Sequence, residues 1–379
     1  MAKKKSKGIF GFFPKYVYKG EYFDYPLFFV TLFLVAFGLV MIYSTSSYTA
    51  QLREGNAAYY LIRQGLFALL GIAAMIVVSF LHYKTWKNLS LMYLTVTIVL
   101  LAAVQVIGVA SHGAVRWIQI GPLQFQPSEV AKSAVAIFTA HMCTIHAARI
   151  KEFKMICMIA AWPFVAIILI ALENLSTAII CAMIVFVVVF VTSPNIKQFA
   201  VIGAGVVVIM GFFLMIASYR LERISIWLNP EKYDKGYQTL QSLYAIGSGG
   251  LFGKGLGQSI QKLGFIPESH NDYIFSVVCE ELGLFGAVCV IGMFAFLIWR
   301  CIVIAFNTED LFAALMVVGL TTHIAAQVLI NIAVVTNSIP PTGVPLPFIS
   351  YGGTAMIMVL VEMGMVLSVS RHLHVAKEY

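Results

Sequence analysis

The residue best placed to do chemistry is Asp272, which lies where a long polar stretch runs into an apolar segment. A carboxyl group with an ordinary pKa of about 3.9 is ionised at neutral pH, so it can accept a proton as a general base. His270 precedes it by two residues. A His-x-Asp pair is half of a metal site, but nothing nearby completes one. The spacing therefore favours a general base over a metal ligand.

Other acidic residues lie inside apolar segments, where a carboxylate is costly and usually functional. Glu129 and Lys132 are three residues apart and share one helical face, so they can neutralise each other. Glu280 and Glu281 follow Asp272 on the same segment, about 12–14 Å further along a helix. Glu173 and Glu362 stand alone and are candidates to face internal cavities.

A glycine-rich stretch, residues 247–257, surrounds Lys254. It lacks the first glycine and the Ser or Thr of a phosphate-binding P-loop, and it lacks the dinucleotide fingerprint. We consider two interpretations: a flexible loop, or a loop that closes over a substrate with Lys254 near its phosphates. The surrounding basic residues form either a solvated surface or a site for an anionic lipid headgroup such as a diphosphate; they are Arg220, Arg223, Lys232, Lys235, Lys254 and Lys262.

The elements that position these residues are membrane spans. Of the 379 residues, 60% are hydrophobic and 11% are charged, and the mean hydropathy is +0.89, which excludes a disordered chain or a secreted disulfide scaffold. The six cysteines have the spacing of packing residues. Ten apolar segments match the thickness of a bilayer and predict ten transmembrane helices, the fourth being the weakest: 26–46, 61–81, 89–110, 128–148, 155–172, 177–193, 199–217, 273–299, 311–336 and 350–370.

The formal charge of +8 reflects membrane topology rather than nucleic-acid binding, because most lysines and arginines fall in short segments on one side. We therefore expect both termini in the cytoplasm, a basic cytoplasmic N-terminus over residues 1–25, and a retained first span rather than a signal peptide. The long connection over residues 218–272, between the seventh and eighth helices, is then extracytoplasmic. We see no repeat and predict one membrane domain over residues 1–379.

Near the C-terminus, residues 337–354 hold four prolines within eight positions, which forbids a regular helix and predicts a re-entrant connection packed among helices. Within it, residues 341–353 (PTGVPLPFISYGG) closely resemble the signature of the SEDS family (shape, elongation, division and sporulation). Three further blocks resemble family motifs in the same order: residues 113–118 with 126–132, residues 237–257, and residues 265–283. The resemblance covers nearly the whole chain.

The resemblance implies a peptidoglycan glycosyltransferase that polymerises lipid II at the outer face of the inner (cytoplasmic) membrane, paired with a class B penicillin-binding protein. The catalytic acidic residue of the family corresponds to Asp272. Arg116, Glu129 and Lys132 match positions that the family needs, and we expect Lys254, Lys262, Glu268 and His270 to complete the substrate site. The sequence motifs resemble those of the FtsW branch more than those of the RodA branch, which implies septal cell-wall synthesis with other division proteins.

Three points stay open in the sequence. Where many members of the family read QPDLGTA, residues 172–178 place Asn174 at the aspartate position and Glu173 one residue earlier. Positive charge for a leaving diphosphate could come from basic side chains or from a divalent cation, magnesium or manganese. The alternative functions are a transporter that moves lipid II, an elongation polymerase of the RodA type, and a scaffold that activates the penicillin-binding partner.

Overall fold

Helices dominate the part of the chain that the structure, a computed structural model, describes: residues 23–111, 114–121, 123–195, 198–199, 203, 225–233, 236–267 and 269–373. Within these residues the helices are α1 (Tyr25–Glu54), α2 (Tyr59–Phe80), α3 (Lys84–Ile107), α4 (Pro127–Ile145), α5 (Phe153–Glu173), α6 (Leu175–Thr192), α7 (Tyr237–Ser248), α8 (Ile274–Asn307), α9 (Leu311–Val335) and α10 (Gly353–Arg371). A short 3-10 turn covers Pro230–Lys232.

Eight of the described helices, all except α4 and the short α7, are long and apolar enough to cross a membrane. Together with α4 they account for nine of the ten predicted segments. The remaining one, 199–217, falls almost wholly outside the described residues, as do Arg220, Arg223, Lys235 and Glu268. The prediction of a polytopic, mainly helical membrane protein is confirmed.

Helix α4, the weakest predicted segment, is the most enclosed of the helices that the structure describes. Every residue from 131 to 140 is buried, and α4 packs against α3, α5, α6, α9 and α10. Because protein rather than lipid surrounds it, α4 can carry polar side chains that a lipid-facing helix could not. Its low hydropathy is therefore a consequence of its central place in the bundle.

A small antiparallel sheet, which the sequence did not lead us to expect, interrupts the helices between α3 and α4. Its strands are β1 (Val109–Ser111), β2 (Ala114–Ile120) and β3 (Leu123–Phe125), in the order β1-β2-β3. The predicted third span ran to residue 110, but α3 ends at Ile107, one residue before Gly108. Gly121, with φ +62, supplies the left-handed residue of the β2–β3 turn. The sheet carries Arg116 on β2.

Helix α8 is broken at Gly283, whose φ and ψ of 66 and −167 are not helical. The glycine-rich stretch packs into this break, and Gly249 and Gly253 come so close to the α8 backbone that no side chain fits there. Four backbone hydrogen bonds join the stretch to the two sides of the break: Lys254 N to Glu280 O (3.0 Å), Gly255 N to Glu281 O (2.9 Å), Leu284 N to Gly250 O (2.9 Å) and Phe285 N to Leu251 O (3.0 Å). The stretch thus replaces hydrogen bonds that the break removes from the helix.

Candidate active site

The site is built around the triplet His270-Asn271-Asp272, which leads into α8. Helix α9 and the non-helical segment that follows it hold the three consecutive backbone carbonyls of this triplet. The hydrogen bonds are Tyr351 N to His270 O (2.9 Å), Ser350 Oγ to Asn271 O (2.8 Å) and Asn331 Nδ2 to Asp272 O (2.8 Å). The backbone that carries Asp272 is therefore fixed by residues far away in the sequence.

The segment between α9 and α10 adopts the packed, non-helical form that its prolines predict. Val344, Leu346, Phe348 and Ile349 are buried among the helices. Ser350 Oγ also accepts a hydrogen bond from Leu346 N at 2.8 Å, which closes the segment on itself. The family-like signature thus forms the surface against which the Asp272 triplet rests.

The Asp272 carboxylate lies against the turn at Gly343. A Cβ atom added to Gly343, whose φ is +73, would lie 3.2 Å from Asp272 Oδ2. Asn331 Nδ2 also donates to the carbonyl of the next residue, Val344, at 2.8 Å. Asp272 itself is partly exposed, so the residue contacts the turn at Gly343 without being enclosed in the core.

His270 is buried beside two aromatic rings. Its ring centroid lies 4.5 Å from that of Tyr60 and 5.5 Å from that of Tyr351. No group of three or more His, Cys, Asp or Glu residues within the described part of the chain has the geometry of a metal site. The described side chains near Asp272 therefore do not fit a divalent cation held by protein ligands, and no chemical step is derived through one.

Lys254 and Lys262 pair with the two carboxylates of α8, Lys254 at the surface and Lys262 in the interior. Lys262 Nζ lies 2.8 Å from Glu281 Oε1 and 3.1 Å from Ser44 Oγ, and Lys254 Nζ lies 2.7 Å from Glu280 Oε1. Lys262 is 5% exposed. The Lys254–Glu280 pair and the backbone hydrogen bonds to the α8 break join residues 247–257 to this helix, which argues against a flexible loop.

A second polar group lies within the helix bundle. Lys132 Nζ lies 2.8 Å from Glu129 Oε2, and both side chains are buried. Glu362, which looked isolated in the sequence, lies 2.7 Å from His323 Nδ1, and both residues are fully buried. His323 and Glu362 lie near the middles of α9 and α10. Ionisable residues therefore also pair inside the bundle, away from the Asp272 triplet.

Arg116 and Glu173 meet at the junction of α5, α6 and the sheet. Arg116 Nε donates to the backbone carbonyl of Glu173 at 3.2 Å, and Gln105 Nε2 donates to Glu173 Oε1 at 2.7 Å. Asn174 begins α6 as its N-cap, and its Oδ1 accepts from the backbone N–H groups of the second and third residues after it. An amide oxygen caps a helix about as well as a carboxylate, so the departure from the family's aspartate preserves the cap.

The sheet contacts the start of α10. Thr354 Oγ1, just after the non-helical segment, donates to the backbone carbonyl of Gln124 in β3 at 3.1 Å. This contact joins β3, the strand paired with the one that bears Arg116, to the helix that follows the segment holding Asp272. Asn331 and Ser350 were not among the predicted site residues, and the signal for Asn331 is an amide, four residues after Gln327, within an apolar segment.

Together, the fold and the site define a polytopic membrane protein. At one end of its helix bundle it carries a carboxylate on a backbone that distant residues fix. A family model described as cell cycle protein, covering FtsW, RodA and SpoVE, matches residues 25–375. Stage V sporulation protein E of Bacillus subtilis (strain 168) is 37% identical over 357 residues, 92% of this chain and 97% of its own. A probable peptidoglycan glycosyltransferase FtsW of Geobacter sulfurreducens (strain DL-1 / KN400) is 34% identical over 359 residues, 93% and 96% of the two chains.

The similarity extends to a solved structure. A chain of a peptidoglycan synthase complex, studied for the structural coordination of polymerization and crosslinking, superposes with a TM-score of 0.79 at 28% identity. The match covers 93% of this chain and 98% of that chain. This chain therefore belongs to the FtsW/RodA/SpoVE family, which confirms the resemblance drawn from the motifs.

Proposed function

We propose that the protein is a peptidoglycan glycosyltransferase that polymerises lipid II, with Asp272 as its general base. The observation that carries this proposal is the carboxylate of Asp272, partly exposed at the end of a transmembrane helix, with its backbone carbonyl held by Asn331. Relatives named as probable peptidoglycan glycosyltransferases support the reaction class. An enzyme whose substrates are anchored in the membrane needs its reactive group at such a boundary.

In the proposed reaction, an Asp272 carboxylate oxygen accepts the proton of the 4-hydroxyl of the acceptor N-acetylglucosamine. The oxygen freed of its proton attacks the anomeric carbon of the donor N-acetylmuramic acid. A carbon–oxygen bond forms there, the bond to the phosphate oxygen breaks, and undecaprenyl diphosphate leaves with the electron pair. General-base assistance of this kind is typically worth about 10²–10⁴-fold in rate.

The leaving diphosphate needs compensating positive charge. We assign this role first to Arg116, because the sheet that carries it contacts the start of α10, just after the segment that holds the Asp272 triplet. Lys254 and Lys262 already neutralise Glu280 and Glu281, so each would have to exchange a carboxylate for a phosphate oxygen to take part. Glu129, Lys132, Glu268 and His270 remain proposed contributors to the substrate site.

The proposed cellular setting follows from the expected membrane topology and from the relatives of this chain. We assign the chain to the inner membrane with both termini in the cytoplasm, the loop over residues 218–272 outside, and one membrane domain over residues 1–379. The partner is a class B penicillin-binding protein, by analogy with the peptidoglycan synthase complex. Relatives named FtsW favour a place at the division septum, and the runner-up is a RodA-like role in elongation.

A transporter of lipid II is the second candidate function, and one observation favours it. The His323–Glu362 pair lies near the middle of the bundle, where proton relays of transporters are found. Against it, no repeated half is visible in the sequence.

Reconstitution separates the candidates. Purified protein in liposomes, with and without the penicillin-binding partner, is given labelled lipid II. Glycan strands indicate the polymerase, translocation without strands indicates the transporter, and neither indicates a scaffold. We expect strands from the unaltered protein and a rate about 10²–10⁴-fold lower, but measurable, from Asp272→Asn, whereas Glu231→Gln, which changes an exposed carboxylate, should behave as the unaltered protein does. Normal polymerisation by Asp272→Asn would refute the assigned role.

A further inference from the structure

Asn331 makes two long-range contacts with a single nitrogen atom. Its Nδ2 donates to Asp272 O and to Val344 O, each at 2.8 Å. The side chain is 1% exposed and lies in the last turns of α9. An amide nitrogen carries two hydrogens, so both of its donor positions are used by backbone carbonyls from two different segments.

The two carbonyls belong to the two parts of the site that must stay in register. Asp272 carries the carboxylate, and Val344 follows Gly343, where an added Cβ would lie 3.2 Å from Asp272 Oδ2. One side chain therefore ties the backbone of the reactive residue to the turn against which its carboxylate rests. If either tie is lost, the carboxylate can shift relative to the turn without any change in its own chemistry.

An amide is the side chain that these surroundings require. Both partners are carbonyl oxygens that accept hydrogen bonds, so an acidic side chain of the same shape would place an oxygen against them. An apolar side chain of similar size would leave both carbonyls without these donors, which is costly for the carbonyl of the buried Val344. Ser350 differs, because its hydroxyl holds Asn271 rather than the reactive residue.

We propose that Asn331 is a positioning residue for Asp272, holding the carboxylate at the angle from which it receives the proton of the substrate hydroxyl. This inference rests on the proposed function and adds to it a residue outside the signature motifs. Asn331 acts through Asp272 and does not itself take part in proton transfer. Misplacement of a reacting group by about 1 Å can lower a rate about 10²-fold.

The test compares Asn331→Leu and Asn331→Ala with Thr321→Val in the full-length protein. Thr321 lies on the same helix, is buried, and hydrogen-bonds within α9 to Val317 O, so its variant is a control for losing a buried hydroxyl. Initial rates of glycan formation are measured against lipid II concentration, and folding is monitored by thermal unfolding in detergent. We expect kcat to fall about 10–100-fold for both Asn331 variants with little change in KM, and Thr321→Val to match the unaltered protein.

A double-mutant cycle separates positioning from general destabilisation. In an Asp272→Asn background, Asn331→Leu should leave the residual rate unchanged, because the residue it positions no longer accepts the proton. A further loss in that background, or a normal kcat for folded Asn331→Leu, would overturn the inference while leaving the proposed function intact. Failure of both Asn331 variants to fold would also overturn it, since the role would then be structural. Absence of strands from the unaltered protein would instead overturn the proposed function.

Discussion

Substitution of Gly253 by alanine tests whether the glycine-rich stretch stabilises α8 at its break. Gly253 has φ +77, and a Cβ added there would overlap the carbonyl of Glu281 and lie 2.6 Å from Gly283 N. Gly250 is a matched control in the same stretch: its φ is +57, yet a Cβ there would meet nothing within 4 Å. Both alanines adopt a left-handed backbone, and only the one at position 253 collides with the helix.

The expected magnitudes follow from the contacts. Left-handed backbone costs alanine about 1–2 kcal/mol at either position. At position 253 the stretch must also retreat from α8, which endangers the four backbone hydrogen bonds across the break. At about 0.5–1.5 kcal/mol each, these bonds add about 2–6 kcal/mol. Gly253→Ala should therefore destabilise the protein by several kcal/mol more than Gly250→Ala.

The assay is unfolding of the purified protein in mixed micelles with increasing sodium dodecyl sulfate, followed by tryptophan fluorescence. Glycan formation by each variant is measured in parallel, because Asp272 lies just before the helical segment that the stretch contacts. We expect Gly250→Ala to retain most of its activity and Gly253→Ala to lose it. Equal unfolding midpoints for the two variants would refute the view that the stretch braces the break.

Two further predictions concern ionisable groups. Glu281→Leu should destabilise the protein by about 3–5 kcal/mol because it leaves Lys262 buried without its carboxylate. Adding Lys262→Met to this variant should recover much of the lost stability in the same unfolding titration. No recovery would contradict the pairing. The pKa of His82 is lowered from its ordinary 6.5 by burial and by the adjacent His372, so the unfolded chain binds more protons and stability should fall as the pH drops below about 6.5. His82→Gln should flatten this dependence between pH 5 and 8, and an unchanged slope would exclude His82 as its source.

The membrane-spanning helices were largely readable from the sequence because lipid demands long apolar segments. Asp24, Asn174 and Asp310 cap α1, α6 and α9 with their side-chain oxygens, as short polar residues before apolar segments indicate. The sheet between α3 and α4 was missed. Its strands are short, and an apolar run that continues from a helix into a strand carries no change of hydropathy that could mark the boundary.

Asp272 could be chosen from the sequence because a carboxylate at a loop–helix junction combines charge, access and a defined position. The partners of Lys254, Lys262 and Glu362 could not be chosen, because each pair joins residues from separate segments. Hydropathy assigns each segment to the membrane but not to a neighbour. Asn331 was missed for the same reason: its role exists only once α9 lies beside the Asp272 triplet.

The break in α8 explains how one membrane helix can hold a reactive group steadily. Gly283 divides α8 so that Asp272 precedes a short helical piece rather than a rod that crosses the whole bilayer. The segment after α9 holds the start of this piece, and the glycine-rich stretch with Lys262 holds its end. Movement of the longer remainder of α8 within the bilayer then need not tilt Asp272. The described second half of the long connection between residues 218 and 272 thus stabilises the position of Asp272.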